Sequence, residues 1–177
     1  MITSFTNSPD GTLVAYDCCG TGPAIVLVHG GGTSRKDWHE AGYVKHLQEA
    51  FTVITLDLRG HGESGLPTSP EDYTTDKMGQ DILAAADACG VDHFVLWAMS
   101  FGGKISRYLA VQSERVVRYI MMGTPLGPGA AGERRQEAVD FCAHCTPSSR
   151  HLVRVYWNSP HFHRVTRNCL TASISQR

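Results

Sequence analysis

The run Trp97-Ala98-Met99-Ser100-Phe101-Gly102-Gly103 leaves no room for a loop between a strand and a helix. From His93 to Ala98 the chain is continuously apolar through Phe94, Val95, Leu96 and Trp97, the pattern of a buried strand. From Phe101 to Gln112 the spacing turns helical, with Phe101, Ile105, Tyr108 and Leu109 on one face. A chain that obeys both patterns must bend sharply at Ser100. Ala98 and Gly102 are the small flanking residues that such a bend needs, and the pentad they bound follows G-x-S-x-G with alanine first. The bend would lift a hydroxyl above the sheet, within reach of a base and a substrate carbonyl. A serine at a strand–helix junction is more often a plain helix cap. Two upstream segments reverse those odds.

In the first, Pro23-Ala24-Ile25-Val26-Leu27-Val28 reads as a buried strand running into His29-Gly30-Gly31-Gly32. Glycines let backbone N–H groups come close to a ligand, and such donors stabilise the oxyanion of acyl transfer. The N–H groups of Gly31 and Phe101 are the expected pair, with His29, Gly30 and Gly32 supporting the loop. The other readings are a surface turn without chemistry or a phosphate cradle. Arg35 occupies the last glycine position of a dinucleotide fingerprint, and Ile105 follows Lys104 where a P-loop needs Ser or Thr.

The second segment is a β-branched strand from Phe51 to Leu56 that ends in Asp57-Leu58-Arg59-Gly60-His61-Gly62-Glu63-Ser64. His61 lies upstream of the serine in a tight turn, so it is expected to be structural rather than a catalytic base. Asp57, Arg59 and Glu63 are expected to brace the turn.

Together these segments, over roughly Thr12 to Thr124, resemble the α/β-hydrolase superfamily. The resemblance implies an α/β fold, with a mostly parallel sheet, helices on both faces, and a Ser-His-Asp/Glu mechanism. The DLRGHGES turn is similar to the branch holding enol-lactonases, cofactor-free haloperoxidases, epoxide hydrolases and small esterases. Members that open epoxides or carbon–halogen bonds use an aspartate nucleophile. Serine at position 100 points instead to a small acyl substrate (ester, thioester or lactone) or an activated C–C bond. No cofactor is implied.

The remaining chain fits alternating strands and helices. Ser8-Pro9-Asp10-Gly11 reads as a turn between strands Ser4–Asn7 and Thr12–Asp17. Asp37 to Ala50 reads as a helix. A second helix, capped by Thr75-Asp76, running through Cys89 and stopped by Gly90, turns Met78, Ile82, Leu83 and Ala86 inward. Val116 to Met122 is a further strand. Residues 1–126 are taken as the hydrolase core, and residues 127–177 as a partial cap and atypical tail joined through Gly127–Gly132.

The family's triad runs Ser, then Asp or Glu, then His. The chain ends at Arg177, too soon after Ser100 for the usual acid and histidine. Gly123-Thr124-Pro125-Leu126 offers no acid, and Glu133, Glu137 and Asp140 read as the surface of a cap helix. Residues 141–177 contain no Asp, Glu or Lys. The expectation is a C-terminally truncated, incomplete fold. His144, His151, His161 and His163 are poor candidates for the base, the last two the least poor beside Pro160. The competing reading is a catalytically inactive remnant that serves as a binding or regulatory module. A sheet without its last strands would expose an edge and invite self-association.

Cys142-x-x-Cys145 with His161-x-His163 lacks zinc-ligand spacing, so no metal is expected. Six cysteines without a secretory leader suit reduced thiols and a cytoplasmic protein. A net charge of −1 provides no field for nucleic acid, and no apolar run reaches membrane-spanning length.

Overall fold

The computed structural model describes residues 2–123 and the backbone of residues 151–154. Its strands are β1 Ser4–Asn7, β2 Leu13–Cys19, β3 Ala24–Val28, β4 Thr52–Leu56, β5 Phe94–Met99, β6 Val116–Met122 and β7 His151–Arg154. Its helices are α1 Lys36–Glu40, α2 Tyr43–Leu47, α3 Thr75–Ala88 and α4 Ser100–Gln112, with a short 3-10 turn at Pro70–Tyr73. One sheet runs in the order β1-β2-β4-β3-β5-β6-β7. β1–β2 and β2–β4 are antiparallel, and every other neighbouring pair is parallel. The expected mostly parallel α/β architecture is present.

The parallel strands are buried on both faces because helices cover both. Val26, Val28, Ile54, Leu56, Phe94, Leu96 and Ala98 pack under α3 and α4 through Met78, Ile82, Ile105 and Leu109. The alternate residues Ile25, Leu27, Val53, Val95 and Trp97 pack with Trp38 of α1 and Val44 of α2. This two-sided burial is the reason β3 and β5 read as unbroken apolar runs.

Some elements differ from the sequence reading. The single helix expected over Asp37–Ala50 is two short ones, broken where Gly42 takes a left-handed φ of 79°. β2 runs two residues past Asp17, to Cys19. Tyr108 is exposed rather than inward, because the buried face of α4 consists of Ile105 and Leu109 with Gly102, Gly103, Ser106 and Ala110. The hairpin turn forms as expected, with Gly11 N–H donating to Ser8 O at 2.8 Å. α3 is capped by the Thr74 hydroxyl, which accepts from Lys77 N–H, rather than by Thr75-Asp76, which already lie in the first turn.

The chain leaves β3 toward β4 on one side and leaves β5 toward β6 on the other. Between the carboxyl ends of β3 and β5 the connections therefore diverge, opening the crevice where ligands bind in open α/β sheets. Val28 pairs with Ala98 in register, which sets His29-Gly30-Gly31 beside Met99-Ser100-Phe101. Among the described residues, no helix is long and apolar enough to cross a membrane.

Candidate functional site

α4 begins at Ser100, directly after β5 ends at Met99. Ser100 has φ 48°, the one positive φ at a non-glycine residue among the described residues. A serine in that region is held there by its surroundings. It is not a helix cap, since the cap position belongs to Met99 in extended conformation. The bend leaves Ser100 exposed at the carboxyl end of the sheet.

The close approach that requires a small residue is made by α4 against the end of β3. A Cβ at Gly102 would overlap the His29 carbonyl oxygen and lie 2.9 Å from Val28 Cγ1. The Gly30 and Gly31 backbones lie against the bend. A Cβ at Gly30 would sit 3.5 Å from Ser100 Cβ, and one at Gly31 3.3 Å from Phe101 Cβ. The structure thus brings Gly30, Gly31, Ser100 and Phe101 together. Gly32 stands apart: it is exposed, has φ 73°, and shapes the turn without facing the bend.

His29 is fully buried and orients this loop. Its Nε2 accepts from Leu58 N–H at 3.0 Å, so Nδ1 carries the proton and donates to Gly30 O at 2.6 Å. The Thr33 hydroxyl donates to the same carbonyl at 3.2 Å. The Gly30–Gly31 peptide is trans, so fixing its carbonyl also fixes the Gly31 N–H on the opposite side. Burial, above all, holds the His29 pKa below the usual imidazole range. The unfolded chain therefore takes up a proton that the folded chain refuses. Stability should be complete above about pH 6.5 and fall as the pH drops below it. Denaturant midpoints between pH 7.5 and 5 will show a steeper decline for the parent than for His29→Gln; parallel curves would contradict this assignment.

His61 does not serve its turn alone. Its ring stacks on Phe101 at 6.2 Å between centroids and tilts against His29 at 5.0 Å. The turn around it is braced as expected, through two buried arginines. Arg35 ion-pairs with Asp17, Asp57 and Glu63, and its own N–H donates to Asp57 Oδ1 at 2.7 Å. Arg59 grips Asp81 with two bonds of 2.6 and 2.8 Å and reaches Asp10 at 2.7 Å. Arg59 holds the Asp10 carboxyl far below its usual range.

Arg35 stands in the sequence only as a motif mismatch, and Thr33 carries no motif of its own. The signal for Arg35 was the set of carboxylates at 17, 57 and 63 with no other evident partner. Among the described residues, no group of three or more His, Cys, Asp or Glu is placed to hold a metal. Glu133, Glu137, Asp140, His144, His161 and His163 lie outside the described residues. His151 opens β7, level with Arg118 and hence with Val95. Its backbone stands five residues short of Ser100, about 16 Å along the strands, far beyond hydrogen-bond reach.

A family model described as alpha/beta hydrolase fold matches residues 23–141. 3-Oxoadipate enol-lactonase 2 of Acinetobacter baylyi is 29% identical over 120 residues, covering 66% of this chain and 43% of that protein. Epoxide hydrolase 3 of Siraitia grosvenorii is 29% identical over 111 residues, covering 62% of this chain and 34% of that protein. The crystal structure of a hydrolase from Pseudomonas aeruginosa superposes with a TM-score of 0.66 at 29% identity, over 78% of this chain and 52% of that one. This chain thus spans less than half the length of these curated relatives. With the strand order, the sharp bend at Ser100 and this match over most of its length, the chain belongs to the alpha/beta hydrolase fold family.

Proposed function

We propose that this chain carries the nucleophile half of a serine hydrolase site for a small ester, thioester or lactone. Ser100 is the nucleophile, and the N–H groups of Gly31 and Phe101 receive the oxyanion. The observation that carries the reading is Ser100 at φ 48° on the end of β5, with the Gly30-Gly31 backbone packed against it. The resemblance to an enol-lactonase over 66% of the chain supports an acyl substrate.

In the proposed step the Ser100 oxygen attacks the acyl carbon while its proton passes to a base. The carbonyl π pair moves onto oxygen and is met by the two amides. Collapse of that intermediate expels the alcohol, thiol or enol oxygen and leaves an acyl-serine, which water then hydrolyses. His29 does not act as the base, because both its nitrogens are engaged, one with Leu58 N–H and one with Gly30 O. It positions the loop. Without a base and its orienting acid, a serine site keeps only the share of rate enhancement due to its oxyanion hole and binding, about 10³–10⁴ over water.

A fluorophosphonate probe tests the reading on the full chain. Labelling is expected on the parent and absent in Ser100→Ala of equal circular dichroism and melting temperature. A folded parent that takes no label, even after long exposure, would instead leave a protein that binds acyl compounds without turning them over.

A further inference from the structure

Three residues from two elements meet on the α3 side of β2, three strands across the sheet from β5 and Ser100. Tyr16 and Cys18 lie two apart on β2 and so share the face covered by α3. Cys89, the residue that closes α3, packs with Tyr16 on the same apolar cluster. The Cys89 thiol hydrogen-bonds with Cys18. Cys19, next in the strand, points to the opposite face and packs with the other cluster. Cys18 is exposed and Cys89 half-buried.

We propose that Cys18 and Cys89 form a modification site, a dithiol that hydrogen peroxide converts to an intrachain disulfide joining β2 to the end of α3. Exposure makes Cys18 the first to react. Its sulfur attacks one peroxide oxygen, the O–O bond breaks, and hydroxide leaves to become water, so sulfur is oxidised to a sulfenic acid as peroxide is reduced. Cys89 sulfur then attacks Cys18 sulfur. The S–S bond forms, the S–O bond breaks, and the departing hydroxide takes the Cys89 proton as a second water. Two thiols and one peroxide thus give one disulfide and two waters.

The order of events follows from the environments. Burial, and after it the hydrogen bond and charge of Cys18, push the Cys89 thiol up to about 12, so it stays protonated while Cys18 is reduced. Oxidation of Cys18 removes the last two of those causes, while burial still keeps the Cys89 proton in place until its sulfur attacks and the departing hydroxide takes it. The resulting staple would enclose β3, α1, α2, β4 and α3 in one covalent loop.

The experiment treats the folded full chain with a small excess of peroxide, alkylates the remaining thiols, and maps peptides by mass spectrometry. A cross-linked peptide containing Cys18 and Cys89, about 2 Da lighter than its two parts, is expected, together with a rise in melting temperature that dithiothreitol reverses. Cys18→Ser and Cys89→Ser should each abolish the cross-link, and Cys19→Ser should keep it. Cys89 that stays fully alkylatable, or Cys18 found paired with Cys142, Cys145 or Cys169, overturns the proposal. The melting shift is read on the parent chain, so the test survives a cysteine variant that fails to fold.

Discussion

Replacing Arg35 with methionine will lower the unfolding free energy by about 3–5 kcal/mol, as removing one partner of a buried ion pair does. The side chains of Arg35 and Asp57 are both fully buried, and Asp17 is nearly so. Without the guanidinium, two carboxylates would remain together in a low-dielectric region with the Glu63 N–H, the Thr55 hydroxyl and the His39 ring as neighbours in place of a buried cation. The variant also removes one tie at the start of β1, where the Thr3 hydroxyl accepts from Arg35 at 2.7 Å. Stability of an ordinary domain is only 5–15 kcal/mol, so the loss will be plain in a urea titration. Arg35→Lys should recover part of it, because lysine keeps the charge but not the fork that reaches three acids at once. A loss below about 1 kcal/mol would mean that water already reaches these groups in the folded chain.

Gly102→Val should be nearly as damaging, at about 3 kcal/mol, the upper range for overpacking a filled core. Its side chain would have to occupy space held by the His29 carbonyl, Val28 Cγ1 and Val28 O, the latter two 2.9 and 3.1 Å from the first added carbon. Two of those three obstacles are backbone and cannot rotate away. Gly102→Ala discriminates most sharply. In a helix interior alanine normally stabilises by about 1 kcal/mol relative to glycine, but here the sign should reverse. Gly79 in α3 is the control, because an added carbon there meets only Leu109 at ordinary contact distances of 3.7 and 3.9 Å. Gly79→Ala should raise the denaturant midpoint while Gly102→Ala lowers it; a rise in both would show that α4 can move off β3.

The features legible in the sequence were those in which backbone and side chain give the same signal. β3 and β5 announced themselves by apolar runs, the bend by serine between small residues, and α3 by its stop at Gly90, which takes φ 67°. What escaped the reading depended on distant partners. Arg35 looks like any polar loop residue until β2, β4 and the following turn converge on it. Gly42 breaks a helix that hydrophobic spacing alone would continue. Tyr108 obeys the helical period yet stays outside, since α4 approaches the sheet through its small residues and leaves no depth for a ring there. His61 was expected to serve its own turn, and its stacking on Phe101 needed three-dimensional placement.

The four-residue outer strand β1 is moored at both ends, by Thr3 to Arg35 and by Asp10 of its turn to Arg59. Peeling it away would take the Thr3 acceptor from Arg35 and strain the pairing of Asp10 with Arg59. A visiting strand that meets this moored edge would dock on β1 where it lies, beside the exposed side chains of Ile2, Phe5 and Leu13.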